Sequence, residues 1–246
     1  DSKVEFLFLN EEDMIKAGVL DADRAVDTIG EVITLLSEGD YLMGGRAHND
    51  HGVQLIFPEK SDIPNFPLAD SADRRFMAMP AYLGGRFHMC GEKWYGSNGR
   101  NSHKGLPRSI LMATLNDVET GQPLAYMSAN LLSAMRTGAM PGLTAMYLAR
   151  KDSRVLTILG AGVIGRTSLM AIMAKFPDLE VLKIKGSSKT SHTAHELTDY
   201  ARENYKSLKE IIICDTLEEA VRDADIIAEA VSVEPRKWPV IDPAWV

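Results

Sequence analysis

One arginine interrupts the stretch from Leu131 to Ala149, LLSAMRTGAMPGLTAMYLA, which is otherwise apolar or small at most positions and reads as a single helix. The guanidinium of Arg136 keeps its charge at any accessible pH, so it either snorkels to water along its aliphatic stem or meets an anion. A candidate source of chemistry follows soon after. Gly160-Ala161-Gly162-Val163-Ile164-Gly165 fits the pattern G-x-G-x-x-G, with the apolar run SRVLTIL before it and a helical pattern after it. In such a turn the first glycine permits the tight bend and the second lets backbone N–H groups approach a pyrophosphate. The third allows the helix to pack closely on the strand. The N–H groups of Val163 and Ile164 would then face the phosphates from a helix N-terminus. A nicotinamide or flavin dinucleotide is the ligand this pattern predicts.

The end of the next strand refines the expectation. An Asp or Glu there normally accepts hydrogen bonds from the ribose 2′-hydroxyl, but the sequence reads IKGSSKTS, with Gly186 in the acid's place. Without a carboxylate to repel a 2′-phosphate, and with Ser187, Ser188 and Lys189 able to bind one, the segment favours NADP over NAD. The alternative is that Lys189 is an ordinary solvated loop lysine.

Other candidates are weaker. His48 and His51 lack a third clustered ligand, so no metal site is expected. The segment EKWYGSNGRN mixes aromatic and basic residues, yet a net charge of −7 and a pI near 5.4 argue against a nucleic-acid partner, and it reads as a substrate loop. Met135, Met140 and Met146 are expected in the core, as are the two cysteines, Cys90 and Cys214, whose contexts suggest neither a disulfide nor a metal. No apolar run is long enough to span a bilayer and the start DSKVEF has no signal-like core, so a cytoplasmic location without membrane attachment is expected. The chain begins without methionine, so residues may precede it.

The elements that must position these groups are legible in outline. Residues 1–9 alternate as a strand, and two helical patterns follow, with Asn10 and Asp21 as N-caps. From Tyr41 to Asn101 the chain is irregular, with short strands expected at 53–57, 76–79 and 86–90. RSILMATLNDVETGQPLAYMS reads as a hairpin about Thr120-Gly121. After the Arg136 helix, strand, glycine turn, helix and strand form a βαβ unit, which repeats loosely with helices at 192–206 and 216–223 and strands at 210–213 and 225–231. The fold class is α/β: an α+β domain over residues 1–150, then a Rossmann dinucleotide-binding domain over 151–246.

GLPRSILMATLNDVETGQPLAYMSANLLSAMRTGAMPGLTAMYLA followed by VLTILGAGVIG resembles the ornithine cyclodeaminase/mu-crystallin family, from about residue 40 onward. The resemblance implies hydride exchange between a nicotinamide C4 and the Cα of an amino or imino acid, as in cyclodeaminases, amino-acid dehydrogenases and ketimine reductases. It further implies a small-molecule substrate and a homodimer. Carried over position by position, it makes Arg46, Lys93 and Arg136 the substrate-carboxylate cations, Lys93 and Arg136 the catalytic pair, and Thr137 a cofactor contact. A bidentate guanidinium would fix the carboxylate so that Cα faces the nicotinamide. The family's usual Gln is replaced by Ile164, and the interval from Arg46 to Lys93 is longer than the family's. Its catalytic Asp is expected beyond Val246, so the sequence reads as part of a longer protein. The alternative within the same family is a mu-crystallin-like protein that binds NADP and a small ligand without catalysis.

Overall fold

The computed structural model describes residues 3–71, 73–231 and 241–246, which form two compact units. The first comprises residues 1–19 and 31–133, the second residues 20–30 and 134–246. The helix bearing Arg136 thus groups, from Ala134 onward, with the strands that begin after Arg154.

Period-two alternation builds the first unit. Its strands are β1 (Leu7–Leu9), β2 (Tyr41–Met43), β3 (Val53–Ile56), β4 (Arg75–Leu83), β5 (Met89–Ser97), β6 (Ser109–Asp117) and β7 (Pro123–Ser128). Among the described residues they form one sheet in the order β1-β7-β6-β5-β4-β2, with β3 also on β4, antiparallel except where β1 joins β7. Helix α1 (Glu11–Lys16) starts at a capping box. Asn10 accepts from the Asp13 N–H, and the Asp13 carboxylate accepts from the Asn10 N–H. Met14 of α1 packs on Ala125 and Met127 and so covers one face of the sheet.

Two expectations for this unit need correction. The short strands expected at 76–79 and 86–90 are instead nine-residue β4 and β5, and residues 86–88 lie in the turn between them. Gly85 and His88 adopt φ of 55° and 38° there, so the Arg86-Phe87-His88 alternation that mimics a strand belongs to a reversal. Strand β1 covers only the last three residues of the run expected to be extended.

The second unit follows the βαβ pattern. It contains β8 (Val155–Leu159), α4 (Val163–Lys175), β9 (Val181–Lys185), α5 (His192–Asn204), β10 (Glu210–Ile213), α6 (Leu217–Val221) and β11 (Ile226–Glu229), with an all-parallel sheet in the order β10-β9-β8-β11. Leu156, Ile158, Leu182 and Ile184 are fully buried, as strands covered on both faces require.

Helix α3 (Asn130–Leu148) reads small because it packs closely on α4. A Cβ at Gly138 would lie 2.4 Å from the Thr167 backbone carbon, and one at Gly142 would lie 2.9 Å from the Ala171 Cβ. Val26 of α2 (Ala22–Glu38), Met135, Ala139, Leu143 and Ala171 close this cluster, and Lys175 donates to Asp23 and Asp27, 2.6 Å from each. Met140 and Met146, expected in the core, are 38% and 45% exposed: Met140 falls on the side of α3 opposite Gly138 and Gly142, and Met146 borders a cavity with Lys175 and Phe176 at the end of α4. Cys214 is buried as expected, but Cys90 is only half-buried.

Asp225 anchors the start of β8. Its carboxylate accepts from the N–H groups of Arg154 (2.7 Å) and Val155 (2.9 Å) and pairs with Arg150. Burial raises its pKa, but those donors together outweigh burial and hold it below the usual carboxylate value. Replacing Asp225 by Asn is therefore expected to cost about 1–3 kcal/mol of stability near neutral pH. A carboxylate with a depressed folded-state pKa stabilises above its unfolded pKa and stops doing so as pH falls through the folded one. The gap between wild type and Asp225→Asn in urea melts should therefore close on acidification.

Candidate functional site

The three glycines of the turn between β8 and α4 differ in what constrains them. Gly160 has φ of 94°, and a Cβ there would sit 2.6 Å from the Ala230 carbonyl. One at Gly165 would lie 2.0 Å from the Gly160 oxygen. Both must therefore be small for the chain to close on itself. Gly162 is different. A Cβ there meets nothing within 4 Å, and as the N-cap of α4 it provides no side-chain hydrogen bond to the first-turn N–H groups. Among the described residues its smallness serves no contact, and it leaves the donors of Val163 and Ile164 approachable. A dinucleotide pyrophosphate fits both features.

Ser187, Ser188 and Lys189 follow the C-terminal end of β9, beside β8, where the Gly160 N–H donates to the Lys185 carbonyl (2.8 Å). The position of the absent acid is tightly packed. A Cβ at Gly186 would come within 3.1 Å of Ser191 and 3.2 Å of Ala194 at the start of α5, so a carboxylate side chain would crowd that helix. Ser188 and Thr190 share a hydroxyl hydrogen bond of 3.2 Å. Glu219, whose pKa is lowered chiefly by the Asp215 N–H it accepts, also feels the charge of Lys189.

The second unit also brings Arg136 and Thr137 to this region. The Thr167 hydroxyl on α4 lies 3.0 Å from the Ala134 carbonyl of α3 and 3.2 Å from those of Val163 and Ile164. The turn of α3 from Ala134 to Gly138 thus rests on the first turns of α4, and Arg136 and Thr137 belong to it. Arg136 is on the exposed side, in line with Met140 and Thr144, and Thr137 is half-buried.

In the first unit, Arg46 is exposed in the tight turn after β2, closed by the Gly44–Asp50 bridge and a Met43 N–H to His48 carbonyl bond of 2.6 Å. Lys93 lies on β5 with its Nζ 5.0 Å from the centre of the Tyr95 ring. A cavity of about 390 Å³ beside it is lined by Met79, Ala81, Leu83, Met89 and Leu115. On the other side of Tyr95 the structure shows a network absent from the sequence reading. Arg75 has its guanidinium carbon 5.6 Å from the same ring centre and donates to the Tyr95 hydroxyl (3.1 Å), which in turn donates to the Met77 sulfur (3.1 Å). Asp73 pairs with both Arg75 and Arg108 and accepts from the Ser97 hydroxyl (2.8 Å). No local sequence signal marks these groups, because the register of β4, β5 and β6 brings them together. Among the described residues no cluster of His, Cys, Asp and Glu could hold a metal, and no helix is long and apolar enough to cross a membrane.

The model of the ornithine cyclodeaminase/mu-crystallin family matches residues 21–246. Among curated relatives, the N-((2S)-2-amino-2-carboxyethyl)-L-glutamate dehydrogenase of Staphylococcus aureus is 36% identical over 72% of this chain and 48% of its own length. The alanine dehydrogenase of Archaeoglobus fulgidus is 31% identical over 99% of this chain and 64% of its own length. This chain thus spans about half to two-thirds of those relatives. An archaeal alanine dehydrogenase dimer with bound NAD superposes with a TM-score of 0.76 at 28% identity, covering 98% of this chain and 64% of that one.

The contrast among the glycines makes a test. Gly162→Ala is expected to leave the melting temperature unchanged while weakening dinucleotide binding at least tenfold, about 1.4 kcal/mol. Gly165→Ala, by contrast, should destabilise the fold itself. Melting curves and calorimetric titration of both variants separate the two effects.

Proposed function

The chain belongs to the ornithine cyclodeaminase/mu-crystallin family, and from that premise we propose that it serves an NAD(P)-dependent enzyme transferring a hydride at the Cα of an amino or imino acid. The observation that carries this reading is the glycine turn left open at Gly162 and uncapped at the start of α4, with the Arg136 turn of α3 packed beside it. A dinucleotide bound there would supply or accept the hydride at its nicotinamide C4. The backbone donors of Val163 and Ile164 hold the pyrophosphate and add the favourable end of the helix dipole. Arg136 offers a planar, permanently charged fork for an α-carboxylate, and the contact of α3 with α4 keeps that fork at a fixed distance from the turn. Thr137, next to it, is assigned to the cofactor. Arg46 and Lys93 are assigned as carboxylate-binding cations of the first unit, and Lys93 and Arg136 as the catalytic pair. Ser187, Ser188 and Lys189 are assigned to the adenosine ribose, where the lack of an acid at Gly186 suits NADP at least as well as NAD.

A homodimer is part of the same reading. Phe8, Leu42, Val53, Leu55, Phe76 and Ile110 share the face of the first unit's sheet opposite α1, and each is at least 38% exposed. A run of exposed apolar side chains this wide is the kind of surface that a second copy covers.

Two measurements test these assignments. With L-amino acids and cyclic imines, absorbance at 340 nm and ammonia should be followed together. A dehydrogenase or reductase changes absorbance with each turnover, whereas a cyclodeaminase releases ammonia without net change. Arg136→Ala should lower turnover about a hundredfold while dinucleotide affinity stays within about twofold, and NADPH should bind no more weakly than NADH. Tight dinucleotide binding without turnover of any such compound would instead point to a binding protein. Light scattering of the double variant Val53→Glu, Leu55→Glu should give a monomer where wild type gives a dimer.

A further inference from the structure

We propose that the substrate carries a second carboxylate and that Arg75, held by an Asp73 carboxylate that also pairs with Arg108, receives it on the sheet face that also bears Lys93. The inference rests on the hydride-transfer reading above and narrows its substrate to acidic amino acids, including those whose nitrogen bears a carboxylate-containing substituent.

Charge on this face does not balance within the cluster. Asp73 is shared by two guanidinium groups and also accepts from Ser97, whose hydroxyl accepts from Ser109 (3.0 Å). One carboxylate therefore faces two guanidinium groups, those of Arg75 and Arg108. The donor count gives the second observation. Arg75 uses one terminal nitrogen on Asp73 and the other on the Tyr95 hydroxyl, but its Nε is buried and has no hydrogen-bond partner among the described residues. A buried donor left unmade is costly, and a ligand oxygen would relieve that cost.

Geometry sets the size of the ligand. The register pairs Arg75 with Ser97, Met77 with Tyr95 and Met79 with Lys93, so Arg75, Tyr95 and Lys93 project from the same side. Both cations lie against one buried ring, at 5.6 and 5.0 Å from its centre, so they are no more than about 11 Å apart. A dicarboxylic amino acid with a hydrogen bond at each end spans an interval of this order. Tyr95 is 8% exposed and tethered to Met77, so it holds the interval rigid. The cavity on the far side of Lys93 is lined mostly by apolar groups and would suit an uncharged side chain, so the two halves of this face make opposite demands.

The test uses the whole protein with dinucleotide present. The probes are L-alanine, L-leucine, L-glutamate and N-((2S)-2-amino-2-carboxyethyl)-L-glutamate, with kcat and KM from initial rates and affinity from calorimetry. Wild type is expected to favour the acidic probes. Arg75→Met should raise KM and Kd for them about thirtyfold or more while those for L-alanine move less than about twofold, and Arg75→Lys should recover part of the loss. Should Arg75→Met lose its cooperative melt, Arg75→Lys and Arg108→Ala carry the comparison. An equal loss on every probe would assign Arg75 to the fold alone and overturn the subsite. So would a wild-type preference for L-leucine, or no change in the variants. Turnover of L-alanine without preference for the acidic probes would sink the subsite yet leave the hydride-transfer reading standing, whereas neither binding nor turnover of any probe would sink both.

Discussion

In the second unit α4 starts hard against the turn by which the chain leaves β8. Gly165 rests so near the Gly160 carbonyl that even a methyl group is excluded. This contact sets where the helix begins, and therefore where its unpaired N–H groups point. Once α4 is seated on β8, the next layer is constrained in turn. Gly138 and Gly142 let α3 lie against Thr167 and Ala171, and the Thr167 hydroxyl links carbonyls of both helices. A chain of small residues thus passes positional information from the strand to the turn of α3 that carries Arg136. The smallness of these residues is a packing demand. Gly162 stands apart, since nothing among the described residues lies within 4 Å of a Cβ placed there.

That difference explains which parts of the molecule were legible in the sequence. The β8-α4-β9 unit could be read because three signals coincide there: a strand apolar on both faces, a turn whose glycines have separate reasons, and a helix of fixed length. The N-cap at Asn10 and the hairpin turn at Thr120-Gly121 were legible for the same local reason, because their hydrogen bonds close within three residues. Strands β4 and β5 were harder. Their alternation is blurred by Gly91, Gly96 and Pro80, and the Arg86-Phe87-His88 run imitates a strand where the backbone turns back. Met140 and Met146 were misjudged because a helix that is apolar all round does not announce which side its neighbour takes.

The cations divide along the same line. Arg136 could be singled out because a charge in an apolar helix is improbable without a purpose. Lys93 and Arg46 stand in polar surroundings, and only the family resemblance drew them out. Arg75 was not found at all. Its partners Asp73, Tyr95 and Arg108 are drawn together by the β4-β5-β6 register, and Asp73 takes a left-handed φ of 66° just before the strand begins. Pairings of this kind are a property of the sheet. They become visible only when register is known.

Gly186 shows how a cofactor preference can follow from a helix contact. At the position that would carry a ribose-binding acid, a Cβ would press on Ser191 and Ala194, and α5 would have to give by a few tenths of an ångström to admit it. In the proposed reading the adenosine ribose would meet the hydroxyls of Ser187 and Ser188 and the ammonium of Lys189, a set that repels no 2′-phosphate. An enzyme that keeps and recycles its own hydride gains little from such tolerance, whereas one that draws reducing equivalents from a pool gains access to either dinucleotide. If the hydroxyls and ammonium after β9 do hold the ribose, the packing of α5 against β9 favours net oxidoreduction over internal recycling in the proposed reaction.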